Sequence, residues 1–594
     1  APAGNLANTT AKLEGVVYRL GDKGQMTDEL DLKKAGDKYI AVVKTDTTDN
    51  FIFFSFSADK KFDNNFNSGY WIPLYDGDKI KKRANANTAA FYQFYGRDAG
   101  VEPNNDKALQ YMDEEFKLYP EFKKNDLVQY VRLYSRVKKE EAPAFIQKEI
   151  EEEIKSGLKE EEEYSTLESL YTLANLPEQS KMIKDIKKEK FPKGIWVREE
   201  FIQKYFSEKE LPKKEQMLDE IIKNINTDSA WKYLEPSLSY FKNNVPNAYL
   251  AKGDWDGVKK AIAKYDIKGA NLASIYNNTA WEMQKTDKNL KEAEEMSKIA
   301  TDWAKAELKT PSEKKPEYLT NRQWQGSREN TYAMDADTYA MIMYKEGNYK
   351  KGFPYTKDAA IVISKAQDPN FNNTYALLAE KALPPKEYVR QLEQFVKDGK
   401  STPDIKDILK QAYIKKHHSE NGYDDYVAAL EKASYLKLLE DLRKGMLNDK
   451  APSFTLVDLK GEKIDLEDLK NKTVIVDFWA TWCGPCKASF PAMQKMVAKY
   501  KNDKDVKFVF VDTWEREDNK EKNAADFISN NKYDFHVLMD NDSKVVEQFK
   551  VSGIPTKFVI DKNGMIRFKA IGFDGSDDKL VSELTAMIDM AKSM

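Results

Sequence analysis

The chain has 594 residues, 41% hydrophobic and 32% charged, a composition for a globular protein with polar surfaces that is too long for a single core. Its 95 Lys and Arg nearly balance 98 Asp and Glu, a formal net charge of -3, which lacks the basic excess of a dedicated nucleic-acid binder. No run reaches the roughly 18–20 apolar residues that span a bilayer.

The sequence opens APAGNLANTT, small and polar and without Met. This reads as a mature end left by signal-peptide cleavage, with a cloning remnant as the alternative. Export is therefore expected, to the periplasm if the source is a Gram-negative bacterium.

Residues 1–100 are predicted to be β-rich. AKLEGVVYRL, KYIAVVKTD and NFIFFSFSADK are β-branched and aromatic runs divided by turn signals. Their spacing suits a small immunoglobulin-like β-sandwich, with FIFFSF as a strand buried on both faces and Trp71 covering one end.

From 101 to 446 the pattern turns helical, with Pro at breaks such as LYPEF, NLPEQ and ALPPKEY. The acidic stretch KEIEEEIKSGLKEEEEY (148–164) has Glu and Lys at i,i+4 spacing, which reads as a solvated helix face. A degenerate repeat is also present. Gly253-Asp254-Trp255 is followed by Val258, Asn289-Leu290 by Ala293, and Gly347-Asn348-Tyr349 by Gly352. A turn glycine, an aromatic two positions later and a small residue three beyond that resembles the centre of a tetratricopeptide repeat, where the small side chain lets two helices approach. Two readings stay open: a surface that binds another protein, and a plain structural α-domain. His417-His418, on a Lys-rich helix, reads as surface.

Residues 447–594 open with a hairpin-like pair around Gly461 and continue as a βαβ unit, the strands 473–478 and 507–512 flanking a helix. Asn563-Gly564 marks a two-residue hairpin before the terminal helix. Both cysteines of the chain lie here, in TVIVDFWATWCGPCKASF (473–490). A buried strand ends, and Cys-Gly-Pro-Cys opens an amphipathic helix. Cys483 thus sits at a helix N-terminus, where the macrodipole and unpaired N–H groups lower a thiol pKa from its usual value of about 8.5. Cys486, one turn in, suits the resolving role. Pro485 stiffens the turn and Trp482 shields one side. A zinc half-site would want further Cys or His ligands, and the only histidines are His417, His418 and His536. A structural disulfide across three positions closes almost no loop. A redox dithiol is the reading that remains, and it needs no metal and no other cofactor than the Cys483–Cys486 pair itself.

Two features support it. Asp477 lies in a strand that should be buried, where a carboxylate with a raised pKa can take the second thiol's proton. Pro555, within Ser552-Gly553-Ile554-Pro555-Thr556, suits a cis peptide that exposes the Ile554 backbone to a substrate strand. Trp514 and Glu515, just past the strand 507–512, fall where strand C-termini border a site. Lys487, next to Cys486, reads as a solvated helix lysine.

Residues 451–594 resemble the thioredoxin superfamily, and within it the TlpA/ResA-type extracytoplasmic thiol-disulfide oxidoreductases. Ala451-Pro452-Ser453-Phe454, Phe478-Trp479-Ala480-Thr481-Trp482-Cys483-Gly484-Pro485-Cys486 and Gly553-Ile554-Pro555-Thr556 carry the resemblance, in the family order. It implies that Cys483 attacks, that Cys486 resolves and that Pro555 is the cis-proline. Trp482, Gly484, Pro485, Ile554 and Thr556 then line the substrate side. Asp477 departs from the Asn that many of these proteins carry. The three-part architecture resembles large exported proteins of Bacteroidetes-type bacteria.

The expected function is exported reduction of protein disulfides, with the first 446 residues positioning or selecting substrate and a membrane thiol carrier supplying electrons. A thiol peroxidase, an oxidase or isomerase, and a redox-gated protein-binding scaffold are the alternatives.

Overall fold

The computed structural model describes residue 6 and residues 11–36, 38–58, 61–517, 519–573 and 575–594. Apart from Leu6, the opening segment on which the export expectation rests lies outside the described residues. The chain divides into two compact units, one of residues 1–279 and 298–332, the other of 280–297 and 333–594.

In the first unit, strand Glu14–Gly21 pairs antiparallel with Gly24–Glu29 and with Asp49–Ala58, which also carries Lys61–Asp63 and Tyr70–Pro73. Alternation along these strands turns Tyr18, Leu20, Phe51 and Phe53 to one face. There they meet Phe91 and Tyr92 of helix Ala84–Gln93 and Leu109 of helix Asn105–Leu118. The region is strand-rich, and the layer covering its sheet is helical where the spacing suggested a second sheet. The other strands among the described residues explain this: they form two short, exposed hairpins, Lys33–Ala35 with Lys38–Ile40 and Tyr75–Asp76 with Lys79–Ile80. KYIAVVKTD is a strand only over Lys38–Ile40, and Val42 is 87% exposed. Trp71 sits inside the cluster, stacked on Phe51 and donating its indole N–H to Tyr92 Oη.

The acidic stretch is solvated over Lys148, Glu151, Glu152, Lys155, Lys159, Glu160 and Glu162, and the expectation fails at three of its glutamates. It forms two helices, Ala142–Ser156 and Glu161–Leu173, separated at Gly157 with φ 79°. Glu149, Glu153 and Glu163 are buried rather than solvated. Lys123 Nζ lies 2.7 Å from Glu149 and Lys124 Nζ 2.6 Å from Glu163, so lysines of the preceding helix, Lys123–Val137, neutralise two of the three.

The repeat signature falls at the turns between consecutive helices: Leu238–Leu250 and Trp255–Lys264, Gly269–Lys285 and Leu290–Lys309, and Asn321–Lys345 and Tyr349–Lys357. Gly253 and Gly347 take φ 68° and 76° in the turns, a region that only glycine enters without strain. Val258, Ala293 and Gly352, the small positions, are all buried. A Cβ on Gly352 would stand 2.7 Å from Met343, so close helix approach is the reason for a small residue there.

The second unit ends in an eight-stranded mixed sheet in the order Asp449–Lys450, Met565–Ile571, Thr556–Ile560, Thr473–Trp479, Val506–Thr513, Val537–Asp540, Thr455–Asp458, Lys463–Asp465. The central strand Thr473–Trp479, buried throughout, runs parallel to Val506–Thr513 and antiparallel to Thr556–Ile560. Its two faces feed two cores. Val474, Val476 and Phe478 pack with Val509 and Phe558 on one. Ile475 and Trp479 pack with Phe510, Val559 and the helices Gly484–Lys499 and Asp577–Lys592 on the other. The hairpin at Asn563-Gly564 is longer than its sequence signal: a four-residue loop, Asp561–Gly564, which Asp561 closes by accepting the N–H groups of Asn563 and Met565. Among the described residues no helix is long and apolar enough to cross a membrane.

Candidate redox site

The site is built where the central strand runs out. Alternation puts Ile475, Asp477 and Trp479 on the face against which helix Gly484–Lys499 packs. The chain then turns over Ala480–Trp482 and enters that helix at Cys483, its N-cap. Cys483 and Cys486 are joined in a disulfide, Cα atoms 5.3 Å apart. The Cys486 backbone N–H points at Cys483 Sγ, 3.2 Å away, so an N–H of the first helical turn is already aimed at the outer sulfur. Cys483 is 3% exposed and Cys486 fully buried. Gly484 and Pro485 are exposed beside them.

Opposite lies the segment before strand Thr556–Ile560. The Ile554–Pro555 peptide is cis, and the Ile554 carbonyl stands 3.7 Å from Cys483 Sγ. Thr556 Oγ1 donates to the Gly553 carbonyl at 2.6 Å, and the Gly572 N–H donates to the Pro555 carbonyl, which holds this segment to the sheet. The structure thus brings Cys483, Cys486, Trp482, Gly484, Pro485, Ile554, Pro555 and Thr556 to one end of the sheet, with Asp477 beneath on the same sheet face. His417 and His418 lie on and just after the helix Pro403–His417 and take no part.

Asp477 is 1% exposed, and its cross-strand partner in register is Lys557, 2% exposed. Lys557 Nζ is 3.2 Å from Asp477 Oδ1. The alignment is poor for a hydrogen bond, and both carboxylate oxygens lack a donor among the described residues. Burial pushes the Asp477 carboxyl above its ordinary range, and the Lys557 charge offsets part of that rise.

Sequence reasoning missed Lys557, and the signal was available: a lysine in the buried run TKFVI, two residues past a proline, calls for an acidic partner. It also left Trp514 and Glu515 as residues at the border. In the structure the Trp514 carbonyl accepts the Trp482 indole N–H at 2.9 Å. Glu515 accepts from the Thr481 backbone N–H and, at 2.8 Å, from its hydroxyl. The guanidinium of Arg516 lies 4.2 Å over the Trp482 ring. Among the described residues no group of three or more His, Cys, Asp or Glu side chains could hold a metal ion.

A dithiol at a helix N-cap, a cis-proline segment whose Ile554 carbonyl faces its outer sulfur, and a buried carboxyl on the central strand define a thioredoxin-like redox domain. The AhpC/TSA family model matches residues 447–569. Over 138 residues, 23% of this chain and 77% of the relative, the sequence is 36% identical to the thiol-disulfide oxidoreductase ResA of Bacillus cereus. It is also 36% identical over 116 residues to ResA of Bacillus subtilis, 20% of this chain and 62% of that one. A solved structure of a thiol:disulfide interchange protein of the thioredoxin family from Chlorobium tepidum aligns at 27% identity. The match covers 24% of this chain and 96% of that one, with a TM-score of 0.21. Through its C-terminal domain the chain belongs to the ResA family, and it is a thiol-disulfide oxidoreductase.

Proposed function

We propose that the protein reduces disulfides of other proteins outside the cytoplasm, with Cys483 as the attacking and Cys486 as the resolving sulfur. The observation that carries this reading is the placement of Cys483 as helix N-cap with the Cys486 N–H on its sulfur, which favours a thiolate at the position a partner reaches first.

In the reduced protein the Cys483 thiolate attacks one sulfur of a substrate disulfide. That S–S bond breaks, one substrate thiolate leaves, and the other half stays bound to Cys483. Asp477 takes the proton of the Cys486 thiol. The Cys486 thiolate attacks Cys483 Sγ, the intramolecular disulfide forms, and the second substrate sulfur leaves as thiolate and is protonated. Two electrons have passed to substrate, and a dithiol donor at the membrane returns them. Ile554, next to cis-Pro555, offers backbone to an extended substrate segment, with Trp482, Gly484, Pro485 and Thr556 beside it. Disulfides persist in oxidising compartments, so a substrate of this kind supports a periplasmic or otherwise extracytoplasmic location. The helix pairs before residue 446 serve substrate or partner contact.

The test is to express Cys486→Ser in the native compartment and identify the proteins held on Cys483. Recovery of mixed disulfides that disappear on Cys483→Ser is the expected result. Recovery of none, while Cys483 still reacts with iodoacetamide, would sink the reductase reading.

A further inference from the structure

The mechanism uses Asp477 and leaves a second buried carboxyl without a task. Asp512 is the last but one residue of strand Val506–Thr513, in register with Trp479 of the central strand. Phe508 and Phe510 of this strand face the dithiol helix, so alternation puts Asp512 on that face as well. It is 1% exposed, and its Oδ2 has no hydrogen-bond partner among the described residues. A buried, unpaired carboxylate is costly, and a buried carboxylic acid with an acceptor at hand is not. The acceptor at hand is the carboxylate of Glu515, three residues on, whose charge raises the Asp512 carboxyl.

Glu515 is also the residue that holds the loop before the attacking sulfur, through the N–H and hydroxyl of Thr481. Its neighbours complete the hold on Trp482, the Trp514 carbonyl on the indole N–H and the Arg516 guanidinium on the ring face. Trp514 adopts φ 55°, a left-handed backbone that a tryptophan takes only when its surroundings enforce it. Three consecutive residues therefore grip the two residues that precede Cys483, and the charge of the middle one bears on Asp512.

We infer that Asp512 is a positioning residue for Cys483: its carboxyl carries a proton, donates it in a hydrogen bond to Glu515, and so keeps Glu515 on Thr481 and Trp482 against the sulfur. Loss of that proton sets two carboxylates against each other and loosens the loop. The inference rests on Cys483 being the attacking sulfur.

The charges around Asp512 favour the protonated state. Burial and the Glu515 charge push its carboxyl up to about 9. From strand Val537–Asp540, Asp540 adds to the rise, although its own charge is met by Thr513 Oγ1 and the N–H groups of Val545 and Val546. From helix Lys520–Asn530, Lys520 opposes it, its ammonium donating to the Asn541 carbonyl. The group is thus protonated at neutral pH and ionises as pH rises through about 9.

The test follows the indole N–H resonance of Trp482 in the oxidised full-length protein, assigned by its loss in Trp482→Phe. The oxidised form has no thiol to titrate, so the outcome does not depend on which cysteine attacks; the mixed-disulfide trap decides that separately. The resonance is expected to move with a midpoint near pH 9 in the wild type. Asp512→Asn, which keeps a donor but cannot ionise, is expected to lose that midpoint. Glu515→Gln, which removes the neighbouring charge, is expected to lower it by about one pH unit or more. The inference is overturned if the wild type shows no such midpoint, if Asp512→Asn retains it, or if Glu515→Gln leaves it in place.

Discussion

The redox domain and the helical region that precedes it both bury carboxyls, and the groups around each one decide what it does. In the helical region burial raises Glu153, Asp335 and Asp337 as it raises the redox acids, while other buried glutamates have their charge met. Glu149 and Glu163 have lysines at 2.7 and 2.6 Å, and Glu115 accepts the N–H groups of Arg83, Asn85 and Ala86. In the redox domain two buried acids are left underpaired. Asp477 faces a misaligned Lys557, and Asp512 keeps an oxygen without a partner among the described residues. An acid with its hydrogen bonds filled holds a structure together, whereas one left short of donors can exchange a proton.

This contrast can be broken most sharply at the sulfur. Cys483→Ser is expected to lower the rate of protein disulfide reduction by about a thousandfold or more, since a hydroxyl cannot stand in for the attacking thiolate; insulin reduction driven by a dithiol measures it. A residual rate within about tenfold of the wild type would place the chemistry elsewhere.

Lys557→Met tests the underpaired acid directly. Removing the cation beside buried Asp477 is expected to cost about 3 kcal/mol of unfolding free energy at alkaline pH, read from urea denaturation. Because the folded carboxyl titrates above its unfolded value, stability falls as pH rises through that folded value. Neutral Asp477 needs no partner, so the penalty should shrink in acid. An equal cost in mildly acidic and alkaline buffer would show that Lys557 acts by packing alone.

In the helical region the expected effect is smaller and has no pH dependence. Gly352→Val forces a branched side chain toward Met343 and should cost about 2 kcal/mol, seen as a lower thermal midpoint. A variant as stable as the wild type would mean that the helices do not need the small residue.

The smallest effect is expected from Asp477→Asn, which removes the proton acceptor but keeps the shape. Release of substrate from the mixed disulfide should slow about tenfold, measured by single-turnover quench. The same variant should be more stable than the wild type at high pH, because it no longer buries a group that must ionise there. A release rate unchanged across pH would assign the proton transfer to another group.

The legibility of the sequence follows the same division. Cys483, Pro485 and Cys486 were readable because their chemistry depends on a few consecutive residues at one strand-to-helix junction. Asp477 was readable because Ile475, Val476 and Phe478 around it mark a buried strand. The run TKFVI marks Lys557 as a buried lysine but not which acid it meets, and Asp512 was not readable, since each acquires its meaning from a partner on another strand or loop, and a register between strands is a tertiary fact. The helical layer over the first sheet was missed for a related reason: strand spacing says how many strands there are, not what covers them. The buried glutamates of 148–164 look like a solvated face until the lysines of the preceding helix are placed.

The cysteine content has a kinetic consequence. Only two sulfurs of this kind exist in the chain, and the inner one has no exposed surface. On the proposed reading, electrons enter and leave through the same opening at Cys483. Donor and recipient must therefore visit in alternation, each blocking the other, and an excess of either should inhibit turnover.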